Sequence, residues 1–193
     1  MKSITIFCGS STGHNTKFMD KAYQLGKFLA ENNIQIIYGG AKVGLMGAVA
    51  NGALGQGGKV IGVLPYFLQS KEVAHPDLTE LILVETMHER KLKMHELSEG
   101  IITLPGGFGT MEEFFEMLTW GQLGLHVKPI AIYNLEGYFD FLISLFDHML
   151  ESGFIHQHHK QLLLHSDRQG ELLEKMKVYE SPVKSKWLSK RTT

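Results

Sequence analysis

Residues 105–113 read PGGFGTMEE, bringing three glycines, a threonine hydroxyl and two carboxylates into one short run. Glycines let the main chain approach a ligand closely and adopt positive φ. A helix start adds unpaired N–H groups and the positive end of a macrodipole, which together suit a phosphate. Glu112 and Glu113 follow at once, and a carboxylate there can act as a general base or face a developing positive charge. The implied chemistry is a reaction on a phosphorylated substrate rather than binding alone. A plainer reading fits part of the same run. Thr110 to Glu113 is T-x-x-E, the capping-box pattern, in which both side chains merely close a helix. Capping accounts for Thr110 and Glu113, leaves PGGFG unexplained, and keeps Glu112 in play.

The elements that must position this run are legible around it. Residues 101–104, IITL, form a short apolar run of buried-strand type, and residues 111–120 lack Gly and Pro and read as a helix. Further strands are expected at 4–7, 34–38, 59–64, 81–84, 130–133 and 162–164. Helices are expected at 16–32, 45–54, 87–97, 138–151 and 170–179. Strands that alternate with helices imply βαβ units and a parallel sheet covered on both faces. The expected fold is therefore a Rossmann-like three-layer α/β/α domain spanning 1–180, with a polar, basic tail over 181–193 that frays. Ligands of such sheets bind beyond the carboxyl ends of the strands. Three glycine turns fall at such ends, at 9–13, 39–47 and 106–109. The longest aperiodic stretch, 65–79, has the length of a functional loop.

The other turns are less specific. CGSSTG carries Gly9 and Ser10 and offers N–H groups and hydroxyls to a phosphate or ribose, or is an ordinary capped βα turn. YGGAKVGLMG, with Gly39 and Gly40, is neither a Walker A loop nor a GxGxxG fingerprint, which argues against an ATPase and against standard NAD binding. Arg90, in MHERK at a helix start, could clamp a phosphate or carboxylate in bidentate fashion or simply be solvated. His156, His158 and His159 lack matched carboxylate or cysteine spacing, so a surface or interface cluster is expected and no metal site. Cys8 reads as a small buried hydrophobe rather than a nucleophile. The 111–125 segment is apolar on more than one face, which means deep burial or a subunit interface, the latter favoured.

Composition excludes other classes. A net charge of −1 provides no basic field for nucleic acid, and 193 residues with 44% hydrophobic content suit one soluble domain. The single cysteine rules out an intrachain disulfide. No apolar run reaches the ~20 residues of a membrane span, so the expectation is a cytoplasmic protein with no membrane or nucleic-acid partner.

The sequence also resembles a known family. PGGFGTMEE matches the PGGxGTxxE signature of the LOG proteins, cytokinin riboside 5′-monophosphate phosphoribohydrolases, many of which carried the earlier label "lysine decarboxylase". The likeness runs through CGSS, YGG..VGLMG, the EVAH..LTEL loop, MHERK and TWGQLGLH.KPI. It implies a catalytic pair, Arg90 and Glu113. It implies nucleotide contacts from Arg90, Lys91 and Gly106 to Glu112, which include Gly107, Gly109 and Thr110, with Thr119 as a further contact. Glu72 aligns loosely with a base-contacting glutamate. The implied reaction is hydrolysis of the N-glycosidic bond of N6-modified AMP, with no cofactor, by a homodimer. The alternative of another class is a carrier or sensor that binds a nucleotide without turnover. The decarboxylase label would require a Schiff-base lysine for pyridoxal phosphate, and no lysine stands in a recognisable setting for one.

Overall fold

The computed structural model describes residues 1–69 and 74–183. Among these residues seven strands form one sheet in the order β4-β3-β2-β1-β5-β6-β7. They are β1 (Ser3–Phe7), β2 (Gln35–Tyr38), β3 (Val60–Pro65), β4 (Glu80–Val84), β5 (Gly100–Thr103), β6 (Ile130–Tyr133) and β7 (Leu163–Ser166). Every pairing between these strands is parallel. The Rossmann-like expectation is thus met, and all the expected strands are present within a few residues of their expected bounds. The order reverses at β1, whose neighbours are β2 and β5. This switch point opens a crevice at the carboxyl edge.

Among the described residues seven α-helices connect or cover the strands: α1 (Lys17–Glu31), α2 (Gly44–Leu54), α3 (Met87–Leu97), α4 (Phe108–Gln122), α5 (Asp140–Glu151), α6 (Gln157–Lys160) and α7 (Gln169–Lys177). One apolar layer joins the sheet to α1, α2 and α7 through Ala22, Leu25, Leu29, Val49, Ala53, Leu172 and Met176. The opposite layer joins it to α3, α4 and α5 through Met94, Phe114, Met117 and Phe146. The small residues of α2 let its backbone meet that of α1. A Cβ on Gly26 would lie 2.0 Å from the Val49 carbonyl oxygen, and one on Gly52 2.0 Å from that of Tyr23. Such contacts forbid any side chain there.

Three expectations need correction. Helix α4 begins at Phe108, with Gly107 as its N-cap, rather than at 111. Thr110 therefore sits inside the first turn, and the capping-box reading of Thr110 and Glu113 falls. The helix expected from 138 begins at Asp140, because Glu136 and Gly137 both take positive φ and break the chain direction after β6. The short helix α6 was not foreseen. The expected fraying tail falls mostly outside the described residues.

Candidate active site

A cleft of about 360 Å³ opens at the switch point. Its floor is formed by Cys8 and Gly9 after β1 and Gly39 after β2. One wall is α3, with Met87, Arg90 and Met94, and the other is the start of α4, from Gly107 to Glu113. Gly9 stitches the turns together. Its N–H donates to the Pro105 carbonyl at 3.0 Å, and its carbonyl accepts from the Leu45 N–H at 3.0 Å. The three glycine turns expected to share a site therefore share a hydrogen-bonded seam.

The start of α4 is built for an anion. Its N-cap, Gly107, has no side chain to satisfy the first amides, and the first bond of the helix is Met111 N–H to the Gly107 carbonyl at 3.1 Å. Among the described residues, the N–H groups of Gly106, Gly107, Phe108, Gly109 and Thr110 have no acceptor. A helix start with a bare cap leaves just these donors to a ligand. A Cβ at Gly107 or Gly109 would meet nothing within 4 Å, so open space lies above both. Gly106 faces inward instead: a Cβ there would lie 2.1 Å from Thr110 Oγ1.

Arg90 is only 6% exposed. Its Nε donates to the Val63 carbonyl at 3.1 Å and its Nη2 to the Gly39 carbonyl at 3.2 Å. Val63 lies within β3 and Gly39 directly after β2, and these two carbonyls fix the plane of the guanidinium. Among the described residues no carboxylate lies within ion-pairing distance of it. A buried charge of this kind is costly unless an opposite charge arrives. Gly39 is required here, since a Cβ would lie 2.0 Å from Nη2.

Glu112 and Glu113 both line the cleft, yet their settings differ. Glu112 accepts from the buried Lys91 ammonium at 2.5 Å, and Glu116 lies 2.9 Å from the same nitrogen. Burial pulls the Lys91 pKa down, but the bonds and charges of the two carboxylates outweigh it, and the net shift is upward. Lys91 is thus a fixed cation that ties α3 to α4. The Cys8 thiol is pushed up by burial, further up by the Glu113 carboxylate, and back down by Arg90. A thiol so raised stays protonated and inert, as expected, and its neighbours show Glu113 and Arg90 acting on one spot.

Other expected site residues lie elsewhere. Ser10 is exposed on the rim, shared with a second hollow of about 340 Å³ around Phe18 and Tyr138. Gly40, at φ +85°, is buried behind the wall, and its carbonyl accepts from His75 N–H at 2.9 Å. The His75 ring is held between Asn51 at 2.9 Å and the Asp77 N–H at 3.2 Å, which docks the end of the 65–79 loop on α2. Leu68, at the other end of that loop, reaches the cleft. Glu72 lies outside the described residues. Thr119 sits on the outer face of α4, donates to the Phe115 carbonyl at 2.7 Å, and lines a separate apolar hollow with Phe146 and Met149. One chain does not bring Thr119 to the cleft.

The apolar wall went unread in the sequence. Met87, Arg90 and Met94 follow i, i+3, i+7, one face of a helix, so their convergence was available from the spacing. Among the described residues no group of three His, Cys, Asp or Glu side chains could hold a metal, the His156 to His159 cluster included. A groove of about 950 Å³ between α1, α7 and the turn after β6 holds none of the expected site residues. Its Glu171 is engaged by Lys175 at 2.7 Å and by Arg168.

With this geometry in place, the relatives are informative. A family model described as "Possible lysine decarboxylase" matches residues 46–176. The chain is 44% identical over 176 residues to a probable cytokinin riboside 5′-monophosphate phosphoribohydrolase of Oryza sativa subsp. japonica, covering 91% of this chain and 79% of that one. It is 49% identical over 155 residues to the cytokinin riboside 5′-monophosphate phosphoribohydrolase of Rhodococcoides fascians, covering 80% and 78%. Among solved structures, the molybdenum cofactor binding protein from the phototrophic bacterium Rippkaea orientalis superposes with a TM-score of 0.67 over 92% of this chain and 96% of that chain. At 22% identity that likeness is one of fold alone. The signature, the seven-stranded sheet and the extent of these matches agree that the chain belongs to the LOG family, whose family model carries the description "Possible lysine decarboxylase".

Proposed function

We propose that this protein is a phosphoribohydrolase that cleaves the N-glycosidic bond of an N6-modified adenosine 5′-monophosphate, releasing the free base and ribose 5-phosphate. The observation that carries the reading is a single cleft holding the buried Arg90, which has no ion pair among the described residues, the open amides of 106–110 and the Glu113 carboxylate. The names of the curated relatives support the choice of reaction.

In this reading the 5′-phosphate rests on the amides at the start of α4, with Arg90 supplying the countercharge. The base lies against the methionine wall of α3. As the C1′–N bond breaks, positive charge spreads over C1′ and the ring oxygen. Glu113 faces that charge and takes a proton from the water whose oxygen bonds to C1′. The departing base gains a proton. No metal or redox cofactor enters the scheme.

A carrier would use the cradle and Arg90 but gives Glu113 no task. The decarboxylase description fits worse. Lys91, the lysine beside the cleft, is held protonated by two carboxylates, whereas Schiff-base chemistry needs a neutral amine.

The reading extends to assembly and setting. Residues 1–180 act as one catalytic domain. The protein works as a homodimer, supported by Phe108 at 97%, Phe141 at 91% and Phe154 at 84% exposure. No helix among the described residues is long and apolar enough to cross a membrane, and the cytoplasm is the proposed compartment. The test is to incubate the protein with isopentenyladenosine monophosphate and with AMP and to follow free base by chromatography. Release of base with ribose 5-phosphate is expected; no release from any nucleoside monophosphate ends the proposal.

A further inference from the structure

Tyr138 was given no role above, yet its hydroxyl donates to the Gly106 carbonyl at 2.6 Å. That carbonyl belongs to the first peptide of the open cradle. In a trans peptide the C=O and the following N–H point in opposite directions. A carbonyl held toward Tyr138 therefore fixes the Gly107 N–H facing away from it, among the donors that have no acceptor in the described residues. The preceding peptide is held likewise, through the Pro105 carbonyl and Gly9 N–H at 3.0 Å. Glycine-flanked peptides rotate cheaply, so without an anchor the 106–107 unit has little reason to keep one orientation.

The surroundings of Tyr138 fix the direction of its hydroxyl. Its ring meets Phe18 of α1 edge-on at 5.9 Å and Phe139 at 4.8 Å. The preceding turn places Glu136 at φ 51°, ψ 30°, a left-handed conformation uncommon outside glycine. That turn is held by Asn134, which donates to Asp140 at 2.7 Å and accepts from the Phe139 N–H at 2.8 Å, and by a 2.8 Å ion pair between Glu136 and Lys17. Strain of this kind persists only where surrounding contacts enforce it. The ring itself is 45% exposed, so core packing does not account for it.

We infer that Tyr138 is a positioning residue, whose hydroxyl sets the orientation of the Gly106–Gly107 peptide and so aims an amide at the phosphate of the substrate. The inference rests on the phosphate-cradle reading of the function.

Tyr138→Phe removes one oxygen and keeps the ring contacts. The expected result is an unchanged melting midpoint, a KM for AMP raised about tenfold, and inhibition by inorganic phosphate weakened by a similar factor, the scale of one hydrogen bond to a charged group. Calorimetric binding of AMP to the same variant should weaken in step. KM and phosphate inhibition equal to wild type would overturn the inference, as would a lowered melting midpoint with unaltered constants in the folded protein, which marks a merely structural tyrosine. Failure of the reaction itself is distinguishable: wild-type protein would then release no base, and the calorimetric comparison would still decide the role of Tyr138.

Discussion

Two helices start at the mouth of the same crevice, and both carry T-x-x-E. In α3 the sequence is Thr86 to Glu89, and in α4 it is Thr110 to Glu113. At α3 the pattern does what its sequence suggests. Thr86 is the N-cap, its hydroxyl accepts from the Glu89 N–H at 3.1 Å, and Glu89 accepts from the Glu85 N–H at 2.9 Å. Side chains thus take up the Glu89 and Glu85 amides at that start. At α4 the helix begins earlier, on Gly107, and the same four residues are carried inside it. The threonine and glutamate are released from capping, and the amides stay open. The difference lies in what precedes the pattern: PGGFG permits an early start on a residue without a side chain, whereas the Glu85-Thr86 sequence does not. A capping box and a ligand cradle can thus share a sequence pattern and be told apart only by where the helix begins.

The sharpest way to break this contrast is at Glu113. Glu113→Gln should leave folding intact, since no cap depends on it, and lower turnover by roughly 10²–10⁴ in an assay of base release. Turnover at the wild-type level would remove Glu113 from the chemistry. Next comes Arg90→Lys, which keeps the charge and loses the planar fork held by Val63 and Gly39. A drop in kcat/KM of about 100-fold is expected, and wild-type kinetics would refute the clamp. The glycines separate packing from ligand space. Gly106→Ala should destabilise by about 1–3 kcal/mol in denaturant titration, because its Cβ collides with Thr110. Gly109→Ala meets nothing and should spare stability while raising KM; the reverse ranking would mean that the cradle faces the other way. The smallest effect distinguishes the two threonines. Thr86→Ala should cost about 1 kcal/mol, read as a melting midpoint lower by about 2–4 °C, with little change in KM. Thr110→Ala should show the opposite balance.

The fold was legible because buried parallel strands are near-continuous apolar runs between helical segments, as in residues 34–38 and 130–133. The position of the site followed from glycines at strand ends. What stayed hidden was set by tertiary contacts. Local propensity discounts Gly107 and Gly109 as helix formers, so the true start of α4 was read late and the capping box looked sound. The tie of Lys91 to Glu112 and Glu116 joins two helices brought together only by the sheet. Thr119 resembles a contact by alignment, while a helix turns it outward from the cleft of its own chain. Tyr138 lies far from the signature in sequence and meets it only because β6 neighbours β5.

The strand order has a consequence for the growing chain. Phe7 pairs with Thr103, so the crevice needs the first strand and the fifth, with everything between them already made. A chain emerging from the ribosome acquires Arg90 before it acquires the glycine turn at 106–109, and in that interval the guanidinium has no cradle beside it. Affinity for the nucleotide arrives only when β5 docks beside β1, closing a loop of long sequence separation, the slow kind of contact in folding. Nucleotide in the surrounding medium would therefore hold the finished sheet together without assisting any of its earlier fragments.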